Sequence, residues 1–164
     1  MSKAKTIIIA FFATLTSLLG NLAIPVYLLV GFNVVDYLTG ILAAKNRGQQ
    51  VSSYYGFIGI AKKVCMYLLV GVGVGVDVLL KYIIETLGLP LILPFIVGCV
   101  VAVWLVLNEI ISILENLNDI GTPMPPFLMP LVKRIRGTVE EKGQELVDDI
   151  PDSEIVDLDS ESED

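Results

Sequence analysis

The chemistry open to this chain is carried by polar side chains set inside apolar sequence, because the usual catalytic groups are missing. None of its 164 residues is histidine, which removes imidazole metal ligands and the Ser-His and Cys-His nucleophile pairs together. Cys65 and Cys99 both fall in apolar segments and read as small packed residues, not as a disulfide or a metal pair. With no nucleophile–base pair and no metal-ligand spacing, no enzyme and no cofactor is expected. What remains is the chemistry of wetting and ion pairing in a low-dielectric medium. Ionisable groups there are costly, and they face either a partner or a water-filled cavity.

Three places hold such groups. Asp36 shares a helical face with Asn33 and Gly40, at spacings of three and four, flanked by Thr39 and Ala43. Asn108, Glu109, Ser112, Glu115 and Asn116 cover an arc of about 120° at 100° per residue. The opposite face, Val103, Val106, Leu107, Ile110 and Leu114, suits lipid. Asp77 and Lys81 are four apart and are expected to neutralise each other. Two readings of the polar faces stay open. In one they are internal glue, with Lys62 and Lys63 pairing to Glu109 and Glu115; in the other they line a pore or an oligomer contact. Both can hold in succession, buried in a resting oligomer and wetted in an open one. For close helix packing the candidates are Gly40 and the small-xxx-small pair Gly71 and Gly75. The run 71–76 is not a dinucleotide fingerprint, since Val76 stands where the third glycine belongs. Nor does it have the threonine or the aromatic of a potassium filter.

The elements that position these residues follow from charge and hydropathy. No charged residue lies between Lys5 and Asp36, and from Lys63 to Leu117 only Asp77, Lys81, Glu85, Glu109 and Glu115 interrupt. Soluble helices need a polar face and cannot use so much apolar surface; a bilayer can. Four membrane segments are expected, at about 6–20, 24–44, 63–84 and 91–117. The first is short, roughly 22 Å at 1.5 Å per residue against a hydrocarbon core near 30 Å. Gly20, Asn21 and Pro25 supply turn chemistry between the first two. A polar loop covers 45–61, a turn with Gly88 and Pro90 covers 85–90, and Pro94 sits in the first turn of the last segment, where a missing N–H costs little. Lys3 and Lys5 before an apolar run resemble a signal peptide, but the run continues into a second apolar segment and is read as a retained anchor.

Lys3 and Lys5, then Lys45, Arg47, Lys62 and Lys63, then Lys133, Arg134 and Arg136 all fall on one side of this layout. By the positive-inside rule that side is cytoplasmic, and both termini lie there. Gly121-Thr-Pro-Met-Pro-Pro126 cannot be helix interior. After it, Leu128, Leu131, Val132, Ile135 and Val139 recur at helical spacing and predict an amphipathic helix on the inner leaflet. From Gly137 onward one lysine stands against twelve acids, which leaves the rest of the chain near +4, suited to anionic lipid. Nucleic acid is not an expected partner, since an acidic tail repels phosphate. The fold class is therefore an all-α membrane protein: a transmembrane domain over 1–120, a Pro-rich break and interfacial helix over 121–139, and an acidic disordered cytoplasmic tail over 140–164.

Several blocks together resemble the toxin-secretion/phage-lysis holin family. They are Val34-Val-Asp36-Tyr-Leu-Thr39-Gly40-Ile-Leu-Ala-Ala44, Gly59-Ile-Ala-Lys-Lys-Val64, Asp77, Asn108-Glu109-Ile-Ile-Ser112-Ile-Leu-Glu115-Asn116, and Gly121-Thr-Pro123-Met-Pro125. The resemblance runs from about Val30 to Val132 in the family's order, and the Asn108–Asn116 block with its Gly-x-Pro-x-Pro exit is its most specific part. It implies a protein of the bacterial cytoplasmic membrane that forms a homo-oligomer and opens timed lesions. Through these an endolysin, a functional partner and not a direct contact, reaches the cell wall, or toxins leave the cell. The long acidic tail and the strongly apolar first segment depart from the family's pattern. Two other classes remain in play: a small ion channel or transporter, and a non-conducting antiholin or scaffold.

Overall fold

The computed structural model describes residues 3–49, 53–87 and 96–148, and every element among them is helical. α1 spans Lys3–Leu19, a single 3-10 turn covers Gly20–Leu22, and α2 spans Ala23–Asn46. α3 runs Ser53–Leu87, α4 Ile96–Ile120 and α5 Leu128–Asp148.

Among the described residues, three helices are long and apolar enough to cross a membrane: Gly20–Asn46, Gly56–Leu87 and Ile96–Ile120. The fourth expected segment falls on α1, which at 17 residues is about 25 Å long. Gly20, with φ of +53°, turns the chain so that α1 folds back on α2. Tyr27 seats its ring edge-on against Phe12, with centroids 5.9 Å apart, and its hydroxyl lies 2.9 Å from Thr16 Oγ1.

α3 starts at Ser53, so the polar loop is shorter than predicted. At 35 residues and about 52 Å, it outruns a hydrocarbon core. The turn at 88–90, the start of the last apolar segment with Pro94, and the tail beyond Asp148 lie outside the described residues. Two helix ends are closed by glycines in the left-handed region, Gly48 at φ +69° and Gly121 at φ +88°. In each the following N–H reaches five residues back, Gln49 to Ala44 O and Thr122 to Leu117 O, both at 3.0 Å. This satisfies carbonyls that a helix end leaves open.

α4 is the centre of the molecule, with α2, α3 and α5 all packed on it. Leu22, Leu29, Val70, Ala102, Leu105 and Val106 form one core, and Leu107, Ile111, Leu114 and Val132 a second. The α4 face expected to meet lipid is therefore covered: Val106, Leu107 and Leu114 are buried by neighbouring helices. Lipid-type surface is found instead on α2 and α3, where Val34, Leu38 and Leu42, and then Phe57, Val64, Leu68, Val72 and Leu79, stand exposed. So large an apolar surface is unsuited to water.

α5 differs most from expectation. It returns along α4, with Arg136 bonded to Asn108 and Glu140 to Trp104, and its helix continues nine residues past Val139, to Asp148. Side-chain pairs three or four apart support this extension: Arg136 with Glu140, Lys142 with Glu145, and Gln144 with Asp148.

Candidate functional site

α2 and α4 run parallel and α3 antiparallel to both, so the end of α2, the start of α3 and the end of α4 share one end of the bundle. Asp36, Lys63 and Glu109 each sit about ten residues from that end, roughly 15 Å in, and three helices thus bring them to one level. Lys63 Nζ donates to Asn33 Oδ1 at 3.1 Å, to Asp36 Oδ2 at 2.9 Å and to Glu109 Oε2. All three ammonium donors are used. Asn33 in turn donates to Tyr67 Oη at 2.8 Å. Asn116 Nδ2 reaches Asp36 Oδ1 at 3.1 Å and Thr39 Oγ1 at 3.3 Å. The side chains of Lys63, Asp36 and Glu109 are only 15%, 16% and 4% exposed. A lone charge so placed would be costly, whereas a paired and hydrogen-bonded cluster is tolerated. Formally it holds one cation and two carboxylates.

The five-residue stripe of α4 does not act as one surface. Glu109 and Asn116 turn to α2 and α3, and Asn108 Oδ1 accepts from Arg136 Nη1 of α5 at 3.1 Å. Ser112 is half-buried and Glu115 exposed. Glu115 borders an open cavity of about 320 Å³ with Asn118, Asp119, Met124 and Met129. Lys62 stays exposed, while Arg47 and Asn46 of α2 pair with Asp119 at the end of α4. Gly40 lies on the α2–α4 seam, where an added Cβ would stand 3.6 Å from Asn116 Nδ2.

At the opposite end Asp77 is buried at 6% exposure and does not pair with Lys81. Its carboxylate accepts from the backbone N–H groups of Val97 at 2.9 Å and Gly98 at 2.8 Å. It thus caps the α4 N-terminus from another helix, where unpaired donors and the helix dipole favour an anion. Lys81 instead lies 3.8 Å from Glu85. Asp77→Ala is expected to cost about 2–3 kcal/mol and Asp77→Asn about half that, since hydrogen bonds to charged groups are worth roughly 1.5–3 kcal/mol. Unfolding in detergent checks it; equal midpoints for Asp77→Ala and the parent would refute the cap.

Asp77 can reach α4 because Gly73 and Gly98 cross in contact. A Cβ at Gly73 would stand 2.9 Å from Gly98 Cα. Gly71 and Gly75 meet nothing within 4 Å, so within one chain the close approach belongs to the glycine between them. Sequence reasoning missed Tyr67, Gly73, Gly98, Trp104, Arg136 and Glu140. Spacing could have found one of these, since Tyr67 stands four after Lys63.

The cluster joins α2, α3 and α4 by side chains, and no metal-holding group of His, Cys, Asp or Glu occurs among the described residues. Its chemistry is ion pairing among side chains largely withdrawn from solvent.

The bacteriophage holin family model matches residues 13–137. Similar chains include a protein of Halalkalibacterium halodurans, 33% identical over 126 residues, 76% of this chain and 87% of the relative. One of Listeria monocytogenes is 34% identical over 125 residues, 76% and 81% of the two chains. One of Clostridium perfringens is 31% identical over 131 residues, 77% and 87%. All three are described as uncharacterised. No solved structure matches.

Proposed function

The chain belongs to the bacteriophage holin family, and from that membership we propose that it assembles as a homo-oligomer in the bacterial cytoplasmic membrane and opens timed lesions for an endolysin. The observation that carries the reading is the match over 13–137, which takes in the whole α2–α4 unit. Three membrane-length helices with exposed apolar faces support it. On this reading the cluster end, with Lys45, Arg47 and Lys62, is cytoplasmic by the positive-inside rule. The N-terminus lies on that side too, with α1 starting there, whereas α5 carries Asp148 back toward the opposite side.

The mechanism places the Asp36–Lys63–Glu109 cluster as a latch. Closed, it holds α2, α3 and α4 together; opened in the oligomer, it wets the α2 and α4 faces. The open side of Gly71 and Gly75 on α3 serves contact between copies. Asp36→Asn removes one of the two carboxylates paired with Lys63, so the triggering time is expected to shift. Unchanged lysis times for both Asp36→Asn and Glu109→Gln would take the cluster out of the mechanism.

One observation favours a second reading, a non-conducting regulator of another lesion former: every donor of Lys63 is satisfied within a single copy. Inducible expression in bacteria separates the two. Abrupt loss of membrane potential with release of a cytoplasmic reporter enzyme, and rapid lysis when an endolysin is co-expressed, is the expected result. Depolarisation with the reporter retained would mean a small channel. Neither effect would support the regulator.

A further inference from the structure

α5 carries four basic and four acidic side chains in 21 residues. A lipid-facing helix of that composition is not viable at membrane depth. Yet it runs back along α4 for most of that helix's length. Arg136 bonds Asn108 at 3.1 Å, Glu140 accepts from Trp104 Nε1 at 2.8 Å, and a Cβ at Gly143 would lie 3.5 Å from Val100 Cγ1. The positions turned to α4, Val132, Arg136, Val139, Gly143 and Leu146, alternate spacings of four and three, as in a coiled-coil seam. A polar pair within such a seam fixes its register, because sliding either helix strands both partners. Gly143 meets the Val100 side chain at the far end of the seam.

Val100 stands twenty residues from Ile120, about 30 Å along α4. A helix docked that far reaches across the hydrocarbon, with Lys133, Arg134, Glu141 and Glu145 exposed on its outer side. Acyl chains cannot solvate that side, but water can. We propose that α5, docked along α4, forms the hydrated wall of the lesion: its seam holds it to the membrane domain and its charged side faces the aqueous opening. The proposal rests on the lesion-forming reading. It assigns the wall to a helix whose far half lies beyond residue 137, where the family match ends.

The test uses the full chain with Cys65→Ser and Cys99→Ser, expressed in cells whose opening is followed by release of a cytoplasmic enzyme. Two pairs are added separately, Val100→Cys with Gly143→Cys and Trp104→Cys with Glu140→Cys. In opened membranes each pair is expected to form an intrachain disulfide on mild oxidation, at least tenfold above a Leu68→Cys/Gly143→Cys control. A Glu141→Cys variant should react with a water-soluble maleimide, and Leu68→Cys should not. If α5 lay on the inner leaflet, residue 143 would stay level with Ile120 and neither pair would form. Enzyme release without either disulfide, or with Glu141→Cys unreactive, overturns the wall and leaves the lesion reading standing. No release from the cysteine-free parent overturns the lesion reading, and the wall with it.

Discussion

Lys63→Met is expected to destabilise the helical unit by about 3–5 kcal/mol, the cost of breaking a buried ion pair by removing one partner. The reason is the imbalance of the cluster. Asp36 and Glu109 both accept from the one ammonium, so its loss leaves two carboxylates facing each other with no cation. Glu109→Gln acts in the opposite sense. It keeps an acceptor for Lys63 and brings the formal charge of the cluster to zero, so a change within about 1 kcal/mol is expected. Unfolding in detergent, followed by helix content, gives the comparison. Equal losses for the two variants would refute the charge argument. Replacing all three at once, by Asp36→Leu, Lys63→Met and Glu109→Leu, should recover most of the stability, because apolar packing of similar volume often equals or exceeds a buried ion pair. The same triple variant should fail to open lesions if wetting of the cluster is the opening step. Stability restored together with normal lysis would confine the cluster to a structural role.

Gly73→Leu is expected to force α3 and α4 apart, with a loss of several kcal/mol. Even Gly73→Ala should cost about 1–3 kcal/mol, the usual range for overpacking, since the new methyl would meet backbone at 2.9 Å and backbone cannot rotate away. The separation also carries Asp77 off the Val97 and Gly98 amides, so the cap is lost along with the contact. Gly98→Ala is expected to cost in the same direction, because its methyl would meet the stiff Val74 side chain at 2.9 Å, Val74 N at 3.2 Å and the capping Asp77 Oδ2 at 3.3 Å. Gly71→Ala and Gly75→Ala are the matched controls. They meet open space, and alanine gains roughly 0.5–1 kcal/mol over glycine in a helix interior, so the single chain should be unharmed or slightly more stable. If these two glycines seat a second copy, the same variants should lower the yield of chemically crosslinked oligomers in membranes. Equal destabilisation by Gly71→Ala and Gly73→Ala would refute the crossing at Gly73.

Much of this architecture was legible in the residues themselves. The long apolar runs mark a membrane protein, because no soluble helix can cover such surface. Gly121 followed by Pro123 marks the end of α4, because glycine alone enters the left-handed region freely and proline cannot extend a helix. The Asn108–Asn116 block and its proline exit pointed to the family. Periodicity also placed Asn33, Asp36 and Gly40 on one face of α2, and in the fold Asn33 and Asp36 both accept from Lys63. These are local properties, decided within a few turns of one helix by sterics and by transfer between water and lipid.

Only the tertiary structure decided partners. Lys63 lies 27 residues from Asp36 and 46 from Glu109, and which acid it meets depends on how three helices cross. Nothing local could choose Lys63 over its exposed neighbour Lys62, which one step of 100° turns to another face. Asp77 had a cation four residues away yet serves the end of another helix, because the Gly73–Gly98 crossing places two free N–H groups within its reach. Gly73 looked no different from Gly71 or Gly75 until α4 lay against it. α5 reads as a surface helix by composition alone, and its return along α4 follows from matched seams that exist only once both helices are formed. The sequence by itself thus determined the segments, their solvent and the family. The pairings of its charges, the central place of α4 and the docking of α5 came from long-range packing, since a polar group in a dry interior must find whichever partner the fold brings to it.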